Sequence, residues 1–464
     1  MRRLLWFALF SSCCWAKGDL TATLAAIDAD QRQPLPVNAY ITINANARRD
    51  LQQAKPGPLH GWLLAIKDNI EVAGLPTTAG SLALSNYLPD SDAAIVSQLK
   101  QAGAVVLGKA NLSEWANFRG QHASSGWSAV GGQTRLPMDR RRSPCGSSSG
   151  SAAAVAAGMA DAAIGTETDG SITCPAAVNG LVAIKPTLGA VSNQGIVPIS
   201  HQQDTAGPLA KTVDDTAKLL MAISQPGYFE QQGLPTVALG QLKVAVLQHK
   251  ADFDQRVAAL LTMAVQRFKK HGAKVKPVDL PDTSALGQAE FTALVAEFHH
   301  DLGAYLAGLP KTVAVHSISE LVRFNQLHAE DELRYFGQQT LLMAEKAQDG
   351  SKARAQARRL ARQTLDGIFA QGYDVLIAPT NGPAWLIDHI NGDHYRGGTS
   401  TLAAVAGYPH VTVPMGNIAN LPIGLSLIGP PGSDLRLLAI AKGWQQAHDK
   451  VALTASLSHT AAPL

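Results

Sequence analysis

Short continuous apolar runs and stretches with helical spacing of apolar residues follow each other repeatedly along this chain. Buried-looking runs occur at Leu63–Ile66, Gly103–Leu107 and Asp374–Ala378, and each ends at polar or turn-forming residues. Runs of this length predict strands. Residues 255–270 instead place apolar side chains on one helical face. Repeated alternation of helices and strands is typical of an α/β layer fold.

The same patterns predict further elements. We expect helices over 20–51, 92–101, 152–159, 329–370 and 434–448. The first should contain a turn at Gln33–Pro36, the second should have Ser91 as its N-cap, and the region 329–370 should be a helical pair broken at Gly350–Ser351. We expect strands over 162–164, 273–280 and 425–428, and a long polar loop over 121–143. Because no linker, low-complexity segment or internal repeat divides the chain, one large α/β domain is predicted.

Composition narrows the functional class. The chain has 464 residues, of which 46% are hydrophobic and 16% charged, and its formal net charge is +3. The one basic cluster, Arg140–Arg142, is short and has the character of a solvated turn, so we expect no nucleic-acid partner. No apolar stretch is long enough to predict a stable membrane span.

The first sixteen residues have the pattern of a secretory signal peptide. Two arginines precede the apolar run Leu4–Phe10, and small residues lead to a cleavage point after Ala16. We therefore expect export to the periplasm or the medium, with residues 1–16 as signal and 17–464 as the functional domain. A lipid anchor on Cys13 and an unprocessed cytosolic N-terminus are the alternatives.

Cysteines and histidines give no sign of a metal site. Two cysteines remain after the signal, Cys145 and Cys174, which is too few for a disulfide framework, and small buried thiols are the favoured interpretation. His389 and His394 lie in a polar stretch that predicts a loop. We expect neither a metal nor another cofactor.

Two serine-bearing segments carry the candidate chemistry. Cys145–Ser151 is rich in Ser and Gly, but a stiff proline precedes it and an Ala-rich helix follows, which argues against a flexible linker. It lacks the lysine of a phosphate-binding loop and the spacing of a lipase elbow. Gly165–Ile172 follows a short strand, and such a turn can supply a nucleophile together with backbone N–H groups for an oxyanion.

Together with Lys67-Asp68-Asn69, these segments resemble the amidase signature family. Gly146–Ser151 is similar to the family's glycine-serine core, and Thr166–Ser171 is similar to its nucleophile loop. The spacing of 24 residues from Ser147 to Ser171 (171 − 147) agrees with the family. Strong similarity runs from about residue 20 to 220 and returns at 378–380 and 407–414. The resemblance implies one domain with a central twisted mixed β-sheet flanked by helices on both faces.

The resemblance also implies roles for individual residues. Lys67 would be a base kept neutral by burial, Ser147 a proton relay behind a cis peptide bond, and Ser171 the nucleophile. Ser148 would support the relay. The oxyanion would be held by the backbone N–H groups of Thr168, Asp169, Gly170 and Ser171. Because none of the histidines falls at a family position, a Ser-His-Asp mechanism is not expected.

Departures from the common pattern favour one subgroup. Ser149, Glu167 and Asp169, together with Glu114–Arg119, resemble bacterial peptide amidases, which release ammonia from amidated peptide C-termini. The Asp169 carboxylate should point away from the oxyanion and be hydrogen-bonded. The alternatives are a broad amidase of small aliphatic or aromatic amides, the A subunit of a glutamine-dependent tRNA amidotransferase, and a non-catalytic binding protein. By analogy we expect a monomer whose pocket is lined by residues 118–127 and 299–340.

Overall fold

The computed structural model describes residues 17–229 and 233–459. The predicted signal peptide therefore lies outside the described residues and stays a prediction. Helices in the described part are α1 Leu20–Gln31, α2 Ala47–Gln52, α3 Ala94–Gln101, α4 Ser149–Ala156, α5 Thr173–Val178, α6 Val213–Ile223, α7 Gln255–Lys270, α8 Ser284–Ala307, α9 Ile318–Leu327, α10 Ala329–Glu332, α11 Gln339–Glu345, α12 Ser351–Phe369, α13 Ser400–Ala406 and α14 Asp434–His459. None of these helices is long and apolar enough to cross a bilayer.

One mixed sheet forms the centre of the domain. The strands are β1 Tyr40–Ile43, β2 Leu63–Lys67, β3 Val105–Ala110, β4 Trp127–Ser128, β5 Gly132–Gln133, β6 Ala162–Glu167, β7 Val182–Lys185, β8 Thr205–Ala210, β9 Lys243–Val246, β10 Lys274–Pro277, β11 Val375–Pro379, β12 His410–Ile418 and β13 Leu421–Ile428. Eleven of them lie in the order β1-β3-β2-β6-β8-β7-β12-β13-β11-β9-β10, and β4 pairs with β5 separately.

Both faces of the sheet are covered, as predicted. Along β2, Leu64 and Ile66 belong to one hydrophobic core while Leu63 and Ala65 belong to another on the opposite face. Alternate residues of a strand point to opposite faces, so a wholly apolar strand requires burial on both sides. The predicted fold class, a single α/β domain with a mixed central sheet between helical layers, is confirmed.

Parallel pairing sets the position of the candidate site. β2 and β6 run side by side in the same direction, with Leu64 opposite Ala162 and Ile66 opposite Ile164. Lys67 ends β2, and β6 ends at Glu167, immediately before the turn 168–171 that carries Ser171. The lysine and that turn therefore emerge at the same edge of the sheet. Ligand sites of open α/β sheets commonly form at such carboxyl edges.

The Ala-rich helix α4 packs close to its neighbours. Residues Ser149 to Val155 are all buried, and a Cβ on Gly150 would come within 2.3 Å of the Ala39 carbonyl oxygen. Small residues therefore allow this helix to lie against the loop after β3, where Gly150 N–H donates to the Asn111 carbonyl at 2.8 Å.

Several element predictions need correction. The region predicted as one helix over 20–51 contains strand β1, because Tyr-Ile-Thr-Ile after two prolines has strand rather than helix propensity. Helix α3 begins at Ala94 with no side-chain cap, so Ser91 is not its N-cap. The loop over 121–143 includes the β4–β5 pair. The predicted helical pair consists of α10, α11 and α12, with the break before Ser351 as expected.

Candidate active site

Lys67 is completely buried, and its amino group is held by groups that converge from separate segments. Nζ lies 2.7 Å from Ser147 Oγ, 2.7 Å from Thr166 Oγ1 and 3.2 Å from the Thr166 carbonyl oxygen. Burial lowers the pKa of Lys67 to about 7, although the carboxylates of Asp204 and Glu167 oppose the shift. A lysine with this pKa can accept a proton near neutral pH.

The relay segment has the predicted geometry. The Gly146–Ser147 peptide bond is cis, and Ser147 is fully buried beside Lys67. Ser148 Oγ donates to the Thr166 carbonyl at 3.1 Å and accepts from Thr166 N–H at 3.2 Å. Ser148 therefore fixes the end of β6, and through Thr166 it fixes the lysine. Sequence reasoning missed Thr166, although it lies inside the quoted nucleophile motif.

Ser171 lies in a turn whose backbone donors are free. Ser148 N–H donates to the Ser171 carbonyl oxygen at 3.1 Å, which brings the two serine segments together. Ser171 lines a cavity, and its hydroxyl is not hydrogen-bonded to Ser147 among the described residues. The N–H groups of Asp169, Gly170 and Ser171 also have no partner within the described part of the chain. Unpaired N–H groups at a cavity wall are suited to hold an oxyanion.

The Glu167 side chain holds the backbone that follows Ser171. Its Oε2 accepts hydrogen bonds from the N–H groups of Ile172 and Thr173, at 2.8 and 2.9 Å. Burial raises the pKa of Glu167, while Lys185 and these two donors lower it. The Glu167 carboxylate thus fixes the backbone immediately after Ser171.

The Asp169 carboxylate is hydrogen-bonded, as expected, but only in part. Thr401 Oγ1 donates to Oδ2 at 2.7 Å, whereas Oδ1 is buried and has no partner in the described chain. Burial raises the pKa of Asp169, and the hydroxyls of Ser400 and Thr401 counteract that rise. The residue also lines the cavity, and the nearby charges of Lys185 and Lys250 lower the pKa of its carboxyl group.

Asp204 completes the electrostatic surroundings of Lys67. It accepts from Thr168 Oγ1 at 2.6 Å and from the N–H groups of Ile199 and Ser200 at 2.8 and 2.9 Å. Burial nevertheless raises the pKa of Asp204 to about 6. Sequence reasoning missed this residue because it lies 36 positions after Thr168, outside either motif, and only the pairing of β6 with β8 brings it close.

Cys145 and Cys174 form a disulfide, so the expectation of free thiols is wrong. Their Cα atoms lie 6.0 Å apart, within the range that a disulfide requires. Cys145 has left-handed backbone with φ of 59°, a conformation that favours glycine. The bond connects the residue before Gly146 to helix α5, which follows Ser171, and it therefore ties both serine segments together.

A cavity of about 800 Å³ opens in front of Ser171. One wall comes from residues 116–125, which overlap the predicted segment 118–127 but begin two residues earlier and end two residues earlier. The prediction for 299–340 is wrong, because the second wall is formed by Glu290, Phe291 and Leu294 on helix α8, just before that range. A third wall lies in residues 385–401, which no sequence pattern indicated. It is supplied by the loop between β11 and α13 together with the first residues of α13.

The histidines of that loop have separate partners. His389 Nε2 lies 2.8 Å from Gln133 Oε1, and His394 Nε2 lies 3.0 Å from Asp388 Oδ2. Within the described residues no group of three or more His, Cys, Asp or Glu side chains could hold a metal ion.

Comparisons with known proteins agree with this geometry. The family model described as Amidase matches residues 34–438. A probable amidase of Arabidopsis thaliana is 35% identical over 430 residues, covering 87% of this chain and 80% of the relative. The A subunit of the glutamyl-tRNA(Gln) amidotransferase of Symbiobacterium thermophilum is 34% identical over 464 residues, covering 92% of this chain and 94% of the relative.

Among solved structures, the native peptide amidase from Stenotrophomonas maltophilia is similar with a TM-score of 0.84 and 43% identity, covering 92% of each chain. Likeness of this extent, together with the family match over most of the chain, identifies both the fold and the chemistry. The chain therefore belongs to the amidase signature family and is an amide hydrolase.

Proposed function

We propose that the protein is a serine amidohydrolase that removes the amide from C-terminally amidated peptides and releases ammonia. The observation that carries the proposal is the buried contact of Lys67 Nζ with Ser147 Oγ at 2.7 Å, close to Ser171 and to three backbone N–H groups that have no partner in the described part of the chain. The 43% identity to a peptide amidase exceeds the 34% identity to the amidotransferase relative, which supports the substrate class.

The proposed reaction uses Ser171, Ser147, Lys67 and the backbone N–H groups of the nucleophile turn. Ser171 Oγ attacks the amide carbonyl carbon while its proton passes through the Ser147 hydroxyl to neutral Lys67. The N–H groups of Asp169, Gly170 and Ser171, together with that of Thr168, hold the resulting oxyanion. Lys67 then returns the proton through Ser147 to the leaving nitrogen, the C–N bond breaks, and ammonia departs. Water cleaves the acyl ester on Ser171 by the same relay.

We also propose that the protein acts in an oxidising compartment. A disulfide beside the catalytic serines supports this location, because such bonds persist in exported proteins and are rare in the cytosol. The pattern of residues 1–16, a basic start followed by an apolar run, supports it as well. A location of this kind suits extracellular peptide amides better than a tRNA-dependent complex.

The test compares ammonia release from peptide amides, amino acid amides, and aryl or fatty amides. We expect the highest kcat/KM for the peptide amides, and equal rates across the panel would favour a broad amidase instead.

Ser171→Ala should abolish hydrolysis of every amide while the far-ultraviolet circular dichroism stays unchanged. Ammonia release at the wild-type rate by that variant would contradict the mechanism. Glutamine-dependent transfer to a charged tRNA, assayed in parallel, would favour the amidotransferase alternative.

A further inference from the structure

The catalytic cavity has an acidic lining that the proposed reaction does not use. Asp169, Glu290 and Asp393 all lie in its walls, and no lysine or arginine is among the described residues that line it. Asp393 has sufficient partners, because it accepts from Ser125 N–H at 3.0 Å and from Trp385 Nε1 at 2.9 Å. The other two carboxyl groups each keep an oxygen without a hydrogen-bond partner in the described chain.

Glu290 is the better placed of these two groups. It is only 6% exposed and lies on helix α8, opposite the nucleophile turn. Gln203 Nε2 donates to Glu290 Oε1 at 2.6 Å and to the Thr168 carbonyl oxygen at 2.9 Å, so the carboxyl group is held close to that turn. Glu290 Oε2 has no hydrogen bond within the described chain. Because this oxygen is not among the fully buried unpaired atoms of the described chain, it is open to a ligand or water in the cavity that Glu290 lines.

The nearest cation does not satisfy this oxygen. Arg354 donates to Gln203 Oε1, but its remaining donors bind Glu297 at 2.5 and 2.7 Å. Burial raises the pKa of Glu290, and the like charge of Asp169 adds to the rise. A positive charge in the cavity would stabilise both carboxylates. Lys185 and Lys250 act electrostatically on Asp169, but neither is among the described residues that line the cavity.

We propose that Glu290, assisted by Asp169, binds a positive charge on the acyl portion of the substrate, so that the preferred amides are cationic. The group recognised would be an ammonium or guanidinium group, which a basic side chain or a free α-amino group of the substrate can supply. This inference rests on the proposed function, since it concerns the substrate of the same site.

The experiment compares amides that differ only in charge. N-acetyl-lysinamide against N-acetyl-norleucinamide tests a side-chain cation, and norleucinamide against N-acetyl-norleucinamide tests an α-ammonium. We expect kcat/KM to be at least about tenfold higher for one cationic member of these pairs, as a buried charge contact would give. Equal values within both pairs would overturn the inference while leaving amide hydrolysis intact. Failure to cleave any of these amides would instead contradict the proposed function.

Two variants test whether the preference for cationic amides depends on Glu290. Glu290→Gln keeps the shape of the side chain and should reduce the charge preference to about twofold or less, with the neutral amide still cleaved. Asp301→Asn is the matched control, because it removes one charge from the same helix outside the cavity, where it pairs with His201 at 2.7 Å. A preference that survives in Glu290→Gln would overturn the assignment.

A measurement on the wild-type enzyme covers the case in which Glu290→Gln fails to fold. Butylammonium and 1-butanol have the same chain length and differ in charge, so both are tested as competitive inhibitors of neutral amide hydrolysis. We expect butylammonium to inhibit at concentrations at least about tenfold lower, and the difference should shrink in roughly 1 M salt. Equal inhibition by the two compounds would overturn the inference.

Discussion

Burial of Lys67 makes a quantitative prediction for the pH dependence of the enzyme. A lysine in water has its pKa at 10.5, whereas burial brings that of Lys67 to about 7. At pH 7 the neutral fraction is then about one half, instead of on the order of one in 3,000. Because only the neutral amine accepts a proton, kcat/KM should rise with pH through an apparent pKa near 7.

Asp204→Asn tests the cause of this value. The Asp204 carboxylate raises the pKa of Lys67, so its removal should move the rising limb of the profile to lower pH. A charge interaction of roughly 1 to 2 kcal/mol, reasonable for an effective dielectric constant near 20, corresponds to a shift of roughly one pH unit. Asparagine retains an oxygen for Thr168 Oγ1, which limits structural damage.

The assay is kcat/KM for one neutral peptide amide, measured by ammonia release from about pH 5 to 10 at constant ionic strength. Asp214→Asn is the control, because it removes an exposed carboxylate that pairs with Lys442 on the surface. Its profile should coincide with that of the wild type. The reasoning would be refuted if kcat/KM of the wild type rose with a midpoint above about pH 9, or if Asp204→Asn moved that midpoint to higher pH.

Three further predictions concern the supports of the site. Ser148→Ala removes both hydrogen bonds to Thr166 and should lower kcat by roughly 10- to 100-fold with little change in KM, measured by steady-state ammonia release. Glu167→Ala leaves two buried N–H groups unpaired and should reduce the free energy of unfolding in urea by roughly 2–4 kcal/mol. Replacing Cys145 and Cys174 together by alanine should reduce it by roughly 3–4 kcal/mol, and a loss below about 1 kcal/mol would contradict a formed disulfide.

The parts of the site that depend on local chain geometry were predictable from the sequence. Lys67 ends an apolar strand, and the two serine-bearing turns carry recognisable glycine and serine patterns, so their positions followed from short segments. Strand β1 was not predictable in the same way, because this edge strand has only four residues and leaves a weak apolar pattern.

Features that depend on contacts between distant segments were not predictable from local patterns. Asp204 approaches Thr168 only because β8 pairs with β6. The Cys145–Cys174 bond depends on a Cα separation that no spacing of residues reveals. The wall formed by 385–401 depends on how one loop folds over the sheet, and its residues have no periodicity that would indicate it.

The origin of the cavity walls has a consequence for how this scaffold can diversify. Proton transfer depends on the ends of two adjacent strands, β2 and β6, whereas the walls come from residues 116–125, helix α8 and residues 385–401. Substitutions in the walls can therefore alter substrate choice without disturbing the strand register that holds Lys67 beside Thr166. Evolution, or a directed library restricted to these three segments, can explore new amides while the catalytic apparatus is inherited unchanged.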